Sequence, residues 1–290
     1  VSERIVIIGP GRMGLALGAA LQHTGEVERL TFYGRSLEPP PHPLFDPDGG
    51  AAEYRLGILP VPPETTVVLL AVTDSALAEV AYDLALAGPA PPGCAALHLS
   101  GALSTDVLAP LHGAGYAVGS MHPLQTVADP WHSVDRLLGV SFAVAGDPAA
   151  ARAAHRLVNA LEGRVLVIPP NLRPLYHAAA VMASNHIVAL VATAGRLLEE
   201  AGVAADDTMP ALLPLVAGTI DNLQHLGARA ALNGPVARGD ADTIRLHLAR
   251  LSGDDRTLYC ALGREVLRLA RSAGLDVRKA EEIEALLGSA

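Results

Sequence analysis

Lysine is almost missing from this chain: Lys279 is the only one in 290 residues, and arginine carries the remaining basic charge. Any mechanism that needs a lysine ammonium in the middle of the chain is thereby excluded. Cysteine is nearly as scarce. Cys94 and Cys260 are too few for a disulfide framework and lack metal-ligand spacing, so they read as two buried thiols in a cytoplasmic protein that holds no metal. Dense positive charge is absent too. A net charge of −9 without an arginine run argues against a nucleic-acid footprint and leaves a small molecule as the expected partner. No charged segment precedes the first short apolar run, so no signal peptide is read. Finally, residues 174–195 carry no Asp, Glu, Lys or Arg. The stretch includes His177, Ser184, Asn185, His186 and Thr193, and its Ala-rich side chains are weakly hydropathic, so a buried helix is expected in place of a membrane span.

What is present alternates. The β-branched run 4–8 leads through Gly9-Pro10-Gly11-Arg12-Met13-Gly14 into a helix ending near His23. Further strands are expected at 29–33, 66–72, 95–99, 117–121, 140–145 and 164–168, with helices near 75–87, 104–113 and 148–161. A loop rich in Pro, Gly and Asp is read at 38–50. Asp147-Pro148 reads as an N-cap followed by proline at the first helical position. After Pro169-Pro170 no strand is expected. Leu258, Leu262, Val266 and Leu269 mark one helical apolar stripe, and Ile244, Leu248 and Leu251 another. The pattern implies a doubly wound α/β nucleotide domain over 1–170 and an all-helical substrate or dimerisation domain over 171–290.

A Gly-x-Gly-x-x-Gly turn between a strand and a helix, at the start of an alternating region, is the fingerprint of dinucleotide binding. Gly9 permits the tight turn, Gly11 lets backbone approach a pyrophosphate, and Gly14 allows close packing, with Arg12 and Met13 between them. The second strand ends Tyr33-Gly34-Arg35-Ser36, without the acid that would accept from the ribose 2′-hydroxyl of NAD. Arg35 and Ser36 suit a 2′-phosphate, so NADP is expected over NAD. Ala71-Val72-Thr73-Asp74 falls at a strand end, where Thr73 and Asp74 either line the nicotinamide-ribose side or cap the next helix.

Ser100 and His122 each follow a strand and are expected at the carboxyl edge of the sheet. Hydride transfer to C=O or C=N needs a proton donor beside the receiving carbon, and histidine titrates in the useful range. His122 is the first candidate, with Ser100 orienting it or the substrate and with Gln125 and Asn185 positioning substrate. His177, Val181 and Ser184 share one helical face, with Asn185 about 80 degrees around. His177 is either a second proton donor or a satisfied core histidine; His186 points the other way. Gly234, Pro235 and Arg238 belong to a glycine-rich turn that Asp240 caps. Arg238 reads either as a carboxylate ligand or as a surface ion-pair partner. His23, His42, His112, His132, His155, His225 and His247 show no ligand-like clustering.

The turn Gly9 to Gly14, His98-Leu99-Ser100-Gly101-Ala102, Met121 to Thr126, Tyr176 to Ala180 with Ser184-Asn185, and Gly234 to Asp240 together resemble the Rossmann-like proteins that carry domain of unknown function 2520. More distantly the architecture looks like pyrroline-5-carboxylate reductases, ketopantoate reductases and β-hydroxyacid dehydrogenases, which implies a helical second domain of the 6-phosphogluconate dehydrogenase type. Ser100 and His122-Pro123 are similar in order to the serine and His-Pro of prephenate dehydrogenases, which supports His122 as acid or base. The lysine that many of these reductases use is absent here, and His177 stands in its neighbourhood. The resemblance implies an NADP-linked reductase of a small carboxylated metabolite, with a 2-keto acid such as ketopantoate as the leading guess. A non-catalytic dinucleotide-binding regulator and a deazaflavin-dependent reductase are the alternatives. The long Ala-rich helix, which needs cover on most faces, points to a homodimer.

Overall fold

The computed structural model describes residues 2–131 and 134–288; His132 lies outside them. The chain divides into two units, Val1–Ser184 and Asn185–Ala290, so Pro169-Pro170 and the helix that follows belong to the first.

The first unit runs β1 (Glu3–Ile8), α1 (Arg12–His23), β2 (Val27–Gly34), β3 (Ala52–Leu56), β4 (Val67–Leu70), α2 (Leu77–Ala87), β5 (Ala95–His98), α3 (Ala109–Gly113), β6 (Ala117–Pro123), β7 (Ser141–Gly146), α4 (Pro148–Ala160), β8 (Arg164–Val167) and α5 (Arg173–Ala183). The strands form one sheet in the order β3-β2-β1-β4-β5-β6-β7-β8. All neighbours are parallel except β6 and β7. Chain order reverses between β1 and β4, and that switch point is where doubly wound sheets open a crevice for ligand.

Alternation along the strands builds two cores. Ile5 and Ile7 face one side, where Leu17 and Leu21 of α1 and Leu157 of α4 cover them. Val6 and Ile8 face the other, with Leu77 and Leu84 of α2 and Leu111 of α3. Burial of such side chains, about 2 kcal/mol each, is the main force holding helices to the sheet. Glu3 is buried but not orphaned: its carboxylate accepts from Arg156 Nε at 2.6 Å and from the Thr66 hydroxyl at 2.5 Å, tying β1 to α4 and the start of β4.

Three local expectations change. A strand, β3, follows the loop expected at 38–50; it lies at the sheet edge, where its alternation puts Ala52 and Tyr54 against the core and leaves Glu53 and Arg55 exposed. Asp147 does precede α4 at the cap position, but its side chain caps nothing there. Its carboxylate instead accepts from the backbone N–H of Val118 at 2.9 Å. Cys94 is buried as expected, whereas Cys260 is only partly so.

The second unit is helical: α6 (Asn185–Glu200), α7 (Ala205–Ala231), α8 (Pro235–Arg238), α9 (Ala241–Leu248), α10 (Gly253–Ser272) and α11 (Val277–Leu287). Its core gathers Val236, Ile244, Leu248, Leu267, Ile283 and Leu287. The stripe expected on α10 is displaced. Leu258 and Leu262 are exposed, while Gly263, Leu267 and Ala270 face inward, because Leu287 of α11 packs directly on Gly263. Asp240 caps α9 as expected, accepting from Thr243 N at 3.1 Å. Arg196 of α6 makes a two-pronged bond to Asp255 of α10 at 2.5 and 2.8 Å.

The charge-free stretch is not the buried helix expected. It breaks at Ser184 into α5 and α6, and the apolar run around it is 6% buried, with Met182 and Val188 exposed at 63% and 71%. By length and composition the run Pro170–Glu200 is also apolar enough to cross a membrane, with an 18-residue stretch of mean hydropathy 1.5.

Candidate active site

The glycine turn sits where β1 meets α1. Gly9 has φ +104, and a Cβ there would lie 2.6 Å from the Ala71 carbonyl oxygen. A Cβ on Gly14 would lie 2.2 Å from the Gly9 oxygen, so both positions are closed to any side chain. Gly11 is different: a Cβ there meets nothing within 4 Å. It is the N-cap of α1, has no side-chain cap bond, and no acid occupies the first turn, where Arg12 and Met13 follow. The backbone N–H groups of that turn are therefore left to an anion approaching the bare face of Gly11. These residues fit the pyrophosphate of a dinucleotide.

At the end of β2, Gly34 is packed against the Tyr54 ring, whose hydroxyl donates to the Ser36 carbonyl at 2.7 Å. Arg35 and Ser36 are exposed, and Arg35 makes no ion pair among the described residues. Beyond β4, Ala71 and Val72 are partly buried and Thr73 and Asp74 exposed. Thr73 precedes a short 3-10 turn without capping it; its hydroxyl lies 3.2 Å from that of Ser75.

At the carboxyl ends of β5 and β6 a second cluster forms. Its centre is Gly101. A Cβ on that glycine would lie 2.5 Å from Nδ1 of His177 and 2.8 Å from Nε2 of His122, so the absence of a side chain lets both imidazoles close on the backbone. The two ring centroids are 5.8 Å apart. Nδ1 of His122 lies 2.8 Å from the Tyr176 hydroxyl, while Nδ1 of His177 is buried with no hydrogen-bond partner. Ser100, 7% exposed, does not orient either ring. Its hydroxyl accepts from Ala102 N and Leu103 N at 3.2 and 3.0 Å, and its carbonyl accepts from Arg173 Nη2 at 2.7 Å.

Burial, then the neighbouring His177 and Arg173, push His122 down to about 4. His98, fully buried at the end of β5, is pushed to about 4 as well, by burial first and Arg173 second; its Nδ1 accepts from Ser100 N at 3.2 Å. Both rings are neutral near pH 7. His122 at rest is thus a polar donor or acceptor, and it becomes a charged acid only when an anion or a lower pH favours its protonation.

The remaining expected residues are placed within their own units. Gln125 donates to the Arg136 carbonyl at 3.1 Å and accepts from Thr126 N at 2.8 Å, which commits its amide to the loop after β6. Ser184 ends α5, donating to the Ala180 carbonyl at 2.9 Å. Asn185 opens α6 in the second unit. Gly234, with φ +94, and Pro235 start α8, and exposed Arg238 ends it beside Arg229 and Lys279. Sequence reasoning missed Gly101, Arg173 and Tyr176 as individual members of the cluster. Gly101 and Tyr176 stood inside recognised motifs, whereas Arg173 carried no local signal. Among the described residues no group of three or more His, Cys, Asp or Glu is placed to hold a metal ion.

Residues 53–123 match the family model of a Rossmann-like domain, and residues 140–266 that of domain of unknown function 2520. Among proteins of curated function none matches the chain. Among solved structures it is similar to a candidate NADP oxidoreductase from Bacteroides fragilis, at 25% identity and TM-score 0.67, over 94% of this chain and 98% of that one. A protein from Thermotoga maritima aligns at 21% identity and TM-score 0.69, over 92% and 98%. The Plasmodium falciparum pyrroline carboxylate reductase with NADP bound aligns at 12% identity and TM-score 0.61, over 99% and 98%. The chain is thus similar to a Rossmann-like domain over one stretch and to domain of unknown function 2520 over another.

Proposed function

We propose that this protein is an NADP-dependent reductase that delivers hydride to the C=O or C=N of a small carboxylated metabolite, a 2-keto acid such as ketopantoate being the leading candidate. The observation that carries the reading is the pairing of an open anion cradle at Gly11 with two imidazoles gathered around Gly101, both on ends of parallel strands. Similarity to an NADP oxidoreductase at 25% identity supports the cofactor.

A nicotinamide dinucleotide would supply the hydride. Gly9, Gly11 and Gly14 with the α1 N-terminus would hold its pyrophosphate, and Arg35 with Ser36 its 2′-phosphate. The protein's own part is to bind and orient the substrate and to provide the proton. Tyr176 fixes the His122 ring through Nδ1, leaving Nε2 directed at Gly101 as the donor to the developing alkoxide or amine. His177 supplies the second polar edge of the same cluster. The exposed apolar surfaces of α5, α6 and α7 support a homodimer in which a second copy covers them, and the sparse cysteine supports a cytoplasmic setting.

NADPH oxidation measured with a panel of 2-keto acids and cyclic imines tests the reading. Turnover is expected with at least one carboxylated member, and replacing Arg35 by Ala is expected to weaken NADPH roughly tenfold with little effect on NADH. Absence of NADPH binding at millimolar concentration refutes it, and retention of turnover without both His122 and His177 refutes the assignment of the acid.

A further inference from the structure

Arg173 presents a problem in electrostatics. It opens α5, it is 1% exposed, and it heads the largest fully buried side chains among the described residues. Of its three guanidinium nitrogens only Nη2 is used, donating to the Ser100 carbonyl at 2.7 Å; Nε and Nη1 are buried with no hydrogen-bond partner. No carboxylate lies within 4.0 Å of it among the described residues. Asp74, exposed beyond β4, is the acid whose charge acts on it, and it makes no ion pair with it. Removing a guanidinium from water costs several kcal/mol, and one bond to a neutral carbonyl does not restore that. A neutral donor would clamp Ser100 more cheaply. The charge itself therefore needs an anion.

The surroundings say which kind. Ser100 is followed by Gly101, whose Cα faces Nε2 of His122 and the orphaned Nδ1 of His177. Arg173 and the imidazole pair therefore stand one peptide apart. Nη2 carries two N–H groups, so one remains after Ser100 is satisfied. Combined with Nε or Nη1 it makes the planar two-donor fork that matches the two oxygens of a carboxylate.

We propose that Arg173 anchors the carboxylate of the substrate, so that a 2-oxo or 2-imino acid lies with its reactive carbon beside Nε2 of His122. This rests on the reductase reading, and it transfers the role of carboxylate ligand from Arg238 to Arg173. It also links binding to chemistry. A carboxylate on Arg173 offsets the positive charge that disfavours protonation of His122, so the acid is armed when substrate arrives.

The test is direct observation of the arginine side chain by 15N-resolved NMR, with the Nε–H signal of Arg173 assigned by its loss in Arg173→Lys. Pyruvate is titrated as probe, with pyruvamide as its neutral counterpart. Pyruvate is expected to move the Arg173 Nε–H signal and the His122 and His177 ring signals together, and pyruvamide is expected to leave them in place. In Arg173→Met the pyruvate concentration needed for half the histidine shift rises about 100-fold. An unmoved Arg173 signal at saturating pyruvate, or an equal response to pyruvamide, overturns the proposal. Both are read on the unmodified protein, the Arg173→Lys variant serving only to assign the signal, and the histidine ring signals give a readout that does not depend on that assignment. NADPH binding is followed on the same samples by nucleotide fluorescence. Loss of NADPH binding with an intact Arg173 response defeats the reductase reading alone, and NADPH binding with a silent Arg173 defeats the anchor alone.

Discussion

The hydroxyl of Tyr176 lies 2.8 Å from Nδ1 of His122, and through that bond the start of α5 determines which nitrogen of a β6 histidine faces Gly101. Replacing Tyr176 by Phe removes the bond and keeps the ring. Reductase kcat is expected to fall on the order of tenfold with KM little changed, since the proton donor loses its orientation while substrate contacts persist. Steady-state kinetics of the variant check this; a rise in KM alone would assign Tyr176 to binding.

His122 is held near 4, well below the ordinary histidine value. Its charged form is therefore a minor species at neutral pH, and kcat/KM for reduction is expected to fall about tenfold per unit from pH 5 to 8 without a break near 6.5. A pH-rate profile of the wild type reads the slope. His122→Asn is expected to lower the rate and flatten the slope.

Gly101→Ala introduces a methyl group 2.5 Å from His177 Nδ1 and 2.8 Å from His122 Nε2. One imidazole must give way. Turnover is expected to drop by about 100-fold, with a stability loss of roughly 1 to 3 kcal/mol and undiminished NADPH binding. Chemical denaturation and nucleotide titration on one preparation separate the effects.

The three glycines of the turn are not equivalent. Gly14→Ala drives a methyl into the Gly9 carbonyl, 2.2 Å away, and is expected to cost about 3 kcal/mol of stability. Gly11→Ala has open space around it, so its thermal midpoint should match the wild type while NADPH binding weakens about tenfold or more. Destabilisation by Gly11→Ala would contradict the assignment of that face to a ligand.

His98 and His122 are both held near 4, below their value of 6.5 in an unfolded chain. Between these limits the unfolded state binds more protons, so stability is fully present above about pH 6.5 and is lost as pH falls towards 4. Each histidine contributes on the order of 3 kcal/mol across that window. Urea midpoints measured from pH 7.5 to 4.5 should decline accordingly, and His98→Asn should remove part of the decline. A rise in stability on acidification would contradict the burial of both rings in neutral form.

The amino-acid sequence by itself determined the features that depend on neighbours in the chain. The order Ile-Val-Ile-Ile then Gly9 to Gly14 specifies a strand, a turn closed to side chains at two positions, and a helix, because φ/ψ limits and alternation act over a few residues. Ser100 and His122 were legible as strand-end residues for the same reason. Where packing decides, the local signal failed. The inward face of α10 is chosen by Leu287, and the carboxylate of Asp147 goes to Val118 instead of to its own helix. The convergence of Arg173, Tyr176 and His177 with Ser100, Gly101 and His122 was equally out of reach of local pattern. Those residues come together because the sheet order sets β5 beside β6 and α5 packs at their carboxyl ends, and the desolvation that follows is what depresses His122 and leaves Arg173 in need of an anion.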